Sequence, residues 1–346
     1  MPQEPLKEFH VLRAEVTSLL RKGAIEIVSP SESNSGFYSR YFLVPKKDGG
    51  LRPILDLRLL NLSLMRRKFK MLTLKQILAQ VCPGDWFFSL DLKDAYFHIQ
   101  IAPHHRQFLR FAFEGVAYQY TVLPFGLSLA PRTFTKCMNA ALSPLRQMGI
   151  QVLNYLDDWL ILAQSRAELE HHRSVLLSHL ECLGLRVNFA KSSLLPSQRI
   201  TFLGAVFDSV RMTAVVSPES TLAIQQLAAS VRNRAYFPLK FFQRMLGLMA
   251  STSPVLQLGL LRMRPLQYWL KFRVPPHTWR HGRLRLRVNQ ACLAALKPWM
   301  NPVWFSQGVP LQAVSRRTVL STDASNTGWG ALCEGRPAFG SWSHEE

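Results

Sequence analysis

Two adjacent carboxylates interrupt the apolar run VLNYLDDWLILA, where Asp157 and Asp158 stand among residues that otherwise read as a buried strand. An ionised carboxylate is expensive to take out of water, and two side by side repel each other. Either the pair occupies an exposed turn or something cationic meets it. A hairpin with Asp157 and Asp158 at its tip is expected, although a tight turn favours Asn-Gly or Asp-Gly over Asp-Asp. An ordinary polar turn is the plain alternative. A second stretch, FFSLDLKDAYF, again places an acid, Asp91, after an apolar run. If the two strands are neighbours in one sheet, Asp91 and Asp157 converge at its edge. Converging carboxylates form a hard-oxygen site suited to Mg²⁺. Two such ions about 3.5–4 Å apart can activate an attacking hydroxyl and stabilise a leaving pyrophosphate.

The rest of the chain narrows the setting. With 346 residues, 48% of them apolar, it has ample material for two or three globular domains. No apolar run approaches the length of a membrane span, and MPQEPLKEFH lacks a signal-peptide pattern. Five scattered cysteines without CxxC spacing argue against a disulfide framework or zinc ribbon and fit a reducing, intracellular compartment. Lys and Arg outnumber Asp and Glu by 42 to 22, a net +20, which favours a polyanionic partner. From Leu261 to Gln290 there are eight Arg/Lys and no acid, with Trp269, Phe272 and Trp279 interleaved. That stretch reads either as a solvated basic connector or as a surface tracking a nucleic-acid backbone.

Periodicity places helices over 7–23, over FKMLTLKQILAQV with Thr73 as N-cap, over APRTFTKCMNAALSPL with Pro131 in its first turn, and over 167–183. YFLVPKKDGGLRPILDL reads as a hairpin with a basic turn, and RITFLGAVFD as a second hairpin or strand. Strands and helices intermix without βαβ repetition, predicting an α+β fold with a largely antiparallel sheet. After Ser209 the chain is mostly helical and basic, and a short β-like piece, TVLSTDASNTGWGALCE, resumes near Arg317.

The blocks FLVPKKDGGLRPILDLRLLN, SLDLKDAYFHI, YQYTVLPFGLSLAPRTF, NYLDDWLI and ITFLGAVF, in that order, resemble the reverse transcriptases of long-terminal-repeat retroelements, closest to the Ty3/gypsy and DIRS-like branch. The likeness runs over about residues 15 to 210. It implies a right-hand polymerase with fingers and palm over 15–210, a helical thumb over 211–275, and a basic connection over 276–315. It also implies an RNA-directed DNA polymerase in which a primer 3′-hydroxyl attacks the α-phosphate of a dNTP. Two Mg²⁺ ions, with Mn²⁺ as a substitute, would be held by Asp91, Asp157 and Asp158, helped by the carbonyl of Leu92. Lys46 and Arg52 match residues that grip the triphosphate. Tyr96 matches the aromatic gate that leaves no room for a 2′-hydroxyl; as an unassigned residue it would be a core aromatic. Phe125 and Gly126 fall in the block that contacts the paired bases, with Phe125 where retroviruses usually carry Gln. Lys191 matches a proposed general acid for pyrophosphate or is a plain surface lysine. Phe202, Leu203 and Gly204 resemble the primer grip, and Arg58 and Asn61 match a DxRxLN pattern of mainly structural role.

The resemblance further implies an RNA template, a DNA or RNA primer and dNTPs as partners, and no membrane. LSTDASNTGWGALCEG resembles the first strands of a ribonuclease H domain over 316–346, with Asp323 matching its first metal-binding acid. The further acids of that fold do not follow, so this chain alone is expected to lack nuclease activity and reads as a fragment of a retrotransposon polyprotein. Two alternatives differ in class: a catalytically idle nucleic-acid-binding fragment, and an RNA-dependent RNA polymerase, which Tyr96 at the gate disfavours.

Overall fold

The computed structural model describes residues 3–45, 51–65, 67–275, 278–279, 284–312 and 318–343. The chain begins with α1 (Gln3–Arg21), β1 (Ile25–Ile27), the hairpin strands β2 (Tyr41–Pro45) and β3 (Leu51–Leu55), and the short helices α2 (Arg58–Ser63) and α3 (Leu74–Leu78). Thr73 caps α3 in a reciprocal capping box with Gln76, as its position before an apolar helical run predicts. Next come β4 (Trp86–Asp91), a 3₁₀ turn at Ala95–His98, α4 (Pro103–Arg106), β5 (Arg110–Phe113), β6 (Val116–Tyr120) and α5 (Ala130–Gln147). The hairpin β7 (Gln151–Tyr155) and β8 (Asp158–Ala163) leads into α6 (Arg166–Cys182), β9 (Ser193–Ser197) and β10 (Arg199–Phe202).

The central sheet is antiparallel with strand order β7-β8-β4-β9, so two segments some 65 residues apart become hydrogen-bonded neighbours. One face buries Phe88, Leu90, Trp159 and Ile161 against Phe134, Met138 and Leu142 of α5 and Leu169, Leu176 and Leu180 of α6. The other face contributes Phe87, Leu160 and Leu162 to a larger cluster. Alternation along β4 and β8 divides the sheet residues between these two cores, which is why both strands read as near-continuous apolar runs.

A smaller three-stranded sheet, β1-β6-β5, packs with α1, Leu57 and Leu60 into a third cluster. Arg110, on β5, is 3% exposed; its guanidinium donates to the carbonyls of Glu32 (2.7 Å) and Ser35 (2.6 Å) and to Gln119 Oε1 (3.0 Å). The loop before β2 is thus tied to the sheet by one buried cation. Arg110→Ala strands these acceptors and is expected to cost about 2–4 kcal/mol. Denaturant unfolding reads this directly, and a loss within about 0.5 kcal/mol of zero, the range of an unremarkable surface substitution, would contradict the anchoring role.

The remainder forms β11 (Ala205–Asp208), β12 (Thr213–Val216), α7 (Pro218–Ser230), β13 (Tyr236–Pro238), α8 (Leu239–Thr252), α9 (Gly259–Lys271), β14 (Arg285–Arg287), α10 (Gln290–Leu296), α11 (Pro302–Gln307) and β15 (Val309–Pro310). The aromatics of the basic stretch mostly serve the core. Trp269 is buried, Trp279 packs against the same cluster, and only Phe272 is largely exposed. Residues 284–311 do not behave as a connection. β14 pairs with β13, β15 pairs with β12, and Trp299, Trp304 and Phe305 are buried with α7–α9. Interleaved aromatics supply core here, while Arg264, Arg273, Arg285 and Arg287 stay at the surface. The chain closes with a separate antiparallel sheet of β16 (Leu320–Ala324), β17 (Gly328–Cys333) and β18 (Arg336–Ser341). Among the described residues no helix is long and apolar enough to cross a membrane.

Candidate active site

The β4–β8 register places Asp91 directly opposite Asp158. Tyr155 also pairs with Asp158, so the turn of the hairpin is Leu156–Asp157, one residue earlier than the sequence reading set it. Leu156, with φ +51°, takes the left-handed position that Gly would fill in such a turn. Asp157 therefore sits at the tip, and Asp158 is the first residue of β8. Strain of this kind is retained where neighbouring structure holds it. Here the Asp157 carbonyl accepts from the Leu92 N–H at 2.9 Å, tying the hairpin tip to the end of β4.

Opposed like charges across a strand pair are unfavourable, and the titration of Asp158 registers it. Burial, then Asp157, then Asp91 push Asp158 up to about 6, with Lys191 pulling the other way. Asp157 is likewise raised, first by burial and then by Asp91, and is again opposed by Lys191. Asp158 thus binds a proton more tightly folded than unfolded, where a carboxyl titrates near 3.8. Its ionisation removes stability as pH rises from about 4 to about 6. Solvent screening at this half-exposed site reduces the effect, so Asp158→Asn is expected to gain about 1–2 kcal/mol at pH 7. The gain should vanish near pH 4. Thermal melts of both proteins across that range test it, and a pH-independent difference would contradict the linkage.

The loop that the sequence reading singled out only for Lys191 also holds Asp91 in place. The Asp91 N–H donates to Ser192 Oγ (3.0 Å), and Asn188 N–H donates to the Asp91 carbonyl (2.8 Å). Ser192 in turn donates to the Asn188 carbonyl. The same loop carries Lys191, whose charge acts on both turn acids. Nothing in VNFAKSS signals this pairing, because the partners lie 101 residues apart.

Tyr96 stands on the 3₁₀ turn after β4, itself entered through Asp94 at φ +52°. Its ring is almost wholly buried, 4.8 Å from Phe125 and 5.4 Å edge-on to Phe134. Burial raises its hydroxyl pKa, with Asp157 and Tyr155 adding to the shift, so the hydroxyl lies within the field of Asp157. Phe125 is by contrast 58% exposed. Gly126 follows at φ +94°, a conformation L side chains rarely adopt. Leu203 and Gly204 form the two-residue turn of the β10–β11 hairpin, both at positive φ, next to buried Phe202. Leu203 and Tyr155 line a cleft of about 990 Å³ shared with Leu72 and with Ala250 of α8.

Some predicted residues do not join this group. Lys46 lies outside the described residues, as does the side chain of Arg52, whose backbone pairs with Val44. Asp323 is exposed on β16, its carboxylate accepting from the next residue's N–H.

Residues 44–207 match the family model described as reverse transcriptase (RNA-dependent DNA polymerase). These residues form a reverse transcriptase domain. The Tf2-3 polyprotein of Schizosaccharomyces pombe is 30% identical over 200 residues, which cover 58% of this chain and 14% of that polyprotein. The Tf2-7 polyprotein is 29% identical over the same span. The chain therefore covers about a seventh of the length of these relatives. A foamy viral protease-reverse transcriptase solved with an RNA/DNA hybrid superposes with TM-score 0.72 at 19% identity, over 98% of this chain and 43% of that one. The same protein with double-stranded DNA gives 0.68 at 20%, over 97% and 66%. The fold is accordingly that of a right-hand polymerase with an antiparallel palm sheet.

Reverse transcriptases use divalent metal ions. Among the described residues no three acids or other ligating side chains are drawn together closely enough to hold one. Mutual repulsion opposes bringing bare carboxylates to such spacing. The donor chemistry of this domain nevertheless fits: hard carboxylate oxygens from Asp91, Asp157 and Asp158, two of them poorly stabilised as anions on their own.

Proposed function

We propose that the chain is the polymerase portion of a retrotransposon polyprotein, an RNA-directed DNA polymerase acting on a primer paired to an RNA template. The observation that carries this is the direct opposition of Asp91 and Asp158 across β4–β8, with Asp157 at the turn beside them. So costly an arrangement is retained where a cation is to be bound, and the cation of choice is Mg²⁺, two ions, with Mn²⁺ as a substitute. When bound, the ions supply Lewis acidity at the phosphoryl group and lower the pKa of the attacking hydroxyl.

The chain's own residues do the rest. Asp91 and Asp157 hold the metal, with Asp158 beside them and the Leu92 carbonyl contributing to the nucleotide side. Lys46 and Arg52 meet the triphosphate. Tyr96 and Phe125 form the floor under the sugar and base of the incoming dNTP, and the buried Tyr96 ring excludes a 2′-hydroxyl by volume. Lys191, on the loop whose Ser192 and Asn188 hold Asp91, serves as proton donor to pyrophosphate. Phe202, Leu203 and Gly204 place the primer terminus, the positive-φ turn presenting backbone to it. The duplex then follows the cleft between Leu203 and α8.

Fingers and palm take residues 15–210. The thumb takes 211 onward and, on the packing of α10 and α11, extends to about 311. The remaining sheet is the start of a ribonuclease H-like domain, with Asp323 as its first acid. Net charge of +20 suits an RNA–DNA partner, and five free cysteines suit an intracellular compartment. Extension of oligo(dT) on poly(rA) with dTTP and Mg²⁺ tests the assignment. Salt-sensitive duplex binding without extension would replace it by an idle binding fragment.

A further inference from the structure

We propose that Asn61 is a positioning residue that sets discrimination between deoxy- and ribonucleotides, acting through Phe125 on Tyr96; the inference rests on the polymerase reading above. Asn61 lies on α2, whose neighbours Leu57 and Leu60 are buried in the core below β1, β5 and β6. Its side chain leaves that helix to clasp a segment 65 residues away. Nδ2 donates to the Gly126 carbonyl at 2.9 Å, and Oδ1 accepts from the Ser128 N–H at 2.8 Å. Both ends of the Gly126–Leu127–Ser128 bend are therefore held by one amide. Only Asn offers a donor and an acceptor on one planar group at this reach: Asp lacks the donor, and Gln carries the group one carbon further out.

What this clasp controls is Phe125. That ring is mostly exposed, so core packing does not fix it, yet it lies 4.8 Å from Tyr96 and 6.0 Å from Phe97. Its placement comes from the backbone that follows it. Gly126 lies beside β3 at φ +94°, a conformation L side chains rarely adopt, and a Cβ there would make only ordinary contact with the Leu55 carbonyl. Tyr96 is in ring contact with both Phe134 and Phe125. Releasing the bend lets Phe125 drift, and the Tyr96 ring then loses one of these two contacts. A gate that excludes a hydroxyl by volume works only while its wall is held.

The test is single-nucleotide insertion on a primed RNA template, with kcat/KM measured for a dNTP and for the matching rNTP. Asn61→Ala is expected to lower the dNTP/rNTP preference about tenfold, chiefly through easier rNTP use. Asn61→Asp, which is isosteric and cannot donate to Gly126, should act alike and decides the matter if the alanine variant fails to fold. A purely structural role would depress both substrates together and leave their ratio unchanged, and that result in a folded variant overturns the proposal. Tyr96→Val serves as reference, because it should lower the preference about a hundredfold without passing through Asn61. Wild-type protein that inserts no nucleotide overturns the polymerase reading and this proposal with it, whereas dNTP insertion with an unaltered ratio in the Asn61 variants overturns this proposal alone.

Discussion

Asp157→Asn is expected to lower primer extension by about a thousandfold or more, roughly 4 kcal/mol of lost transition-state stabilisation. The substitution keeps the volume of the side chain and the turn geometry at Leu156, and removes only an anionic oxygen. Asp91→Asn should behave in the same way, since its side chain faces the same sheet edge. Binding to an RNA–DNA duplex should change little, because the charge that attracts nucleic acid is spread over the chain. Stability should not fall either, since burial and Asp91 both disfavour the charged form of Asp157 that the substitution removes. Loss of activity with retained folding is the pattern of a functional site that costs stability. Extension surviving in both variants would remove the assignment of these acids, and a collapse of the melting transition would mean that they serve the fold instead.

Tyr96→Val is expected to raise ribonucleotide insertion about a hundredfold relative to deoxynucleotide insertion. The ring is buried, pressed against Phe134, and capped by Phe125, so it cannot swing aside to admit a larger sugar. Valine removes the ring edge and leaves space of about the size of a hydroxyl. Discrimination by steric exclusion needs no attractive contact with the correct substrate, so dNTP use should suffer less than selectivity. Competition between dTTP and UTP on poly(rA) measures the ratio. An unchanged ratio would assign Tyr96 to the core alone and would move the question of sugar choice elsewhere.

Much of this was legible in the linear chain. The apolar runs around Asp91 and around Asp157 announce strands buried on both faces, and an acid ending each run is costly enough to demand an explanation. Thr73 before a helical run and Pro131 at the start of α5 are local signals, and local signals suffice for local structure. The basic stretch after Leu261 misled because composition does not say which way a side chain points. Trp269, Trp299 and Trp304 are core residues, while Lys271, Arg273, Arg285, Arg287 and Lys297 between them are exposed. The turn position of Asp157 was displaced by one residue because Leu156 adopts a conformation its side chain disfavours.

Legible in the amino-acid sequence by itself were the candidates for the proposed chemistry: three acids set in apolar runs, an aromatic at Tyr96 and a strongly basic composition. Only the tertiary structure decided that Asp91 meets Asp158 in register, that Ser192 and Asn188 hold Asp91 from 97 and more residues away, and that Asn61 clasps the bend behind Phe125. The physical reason is separation along the chain. Periodicity and capping act over a few residues, whereas a hydrogen bond across a hundred residues depends on how whole elements pack, and no local pattern encodes it.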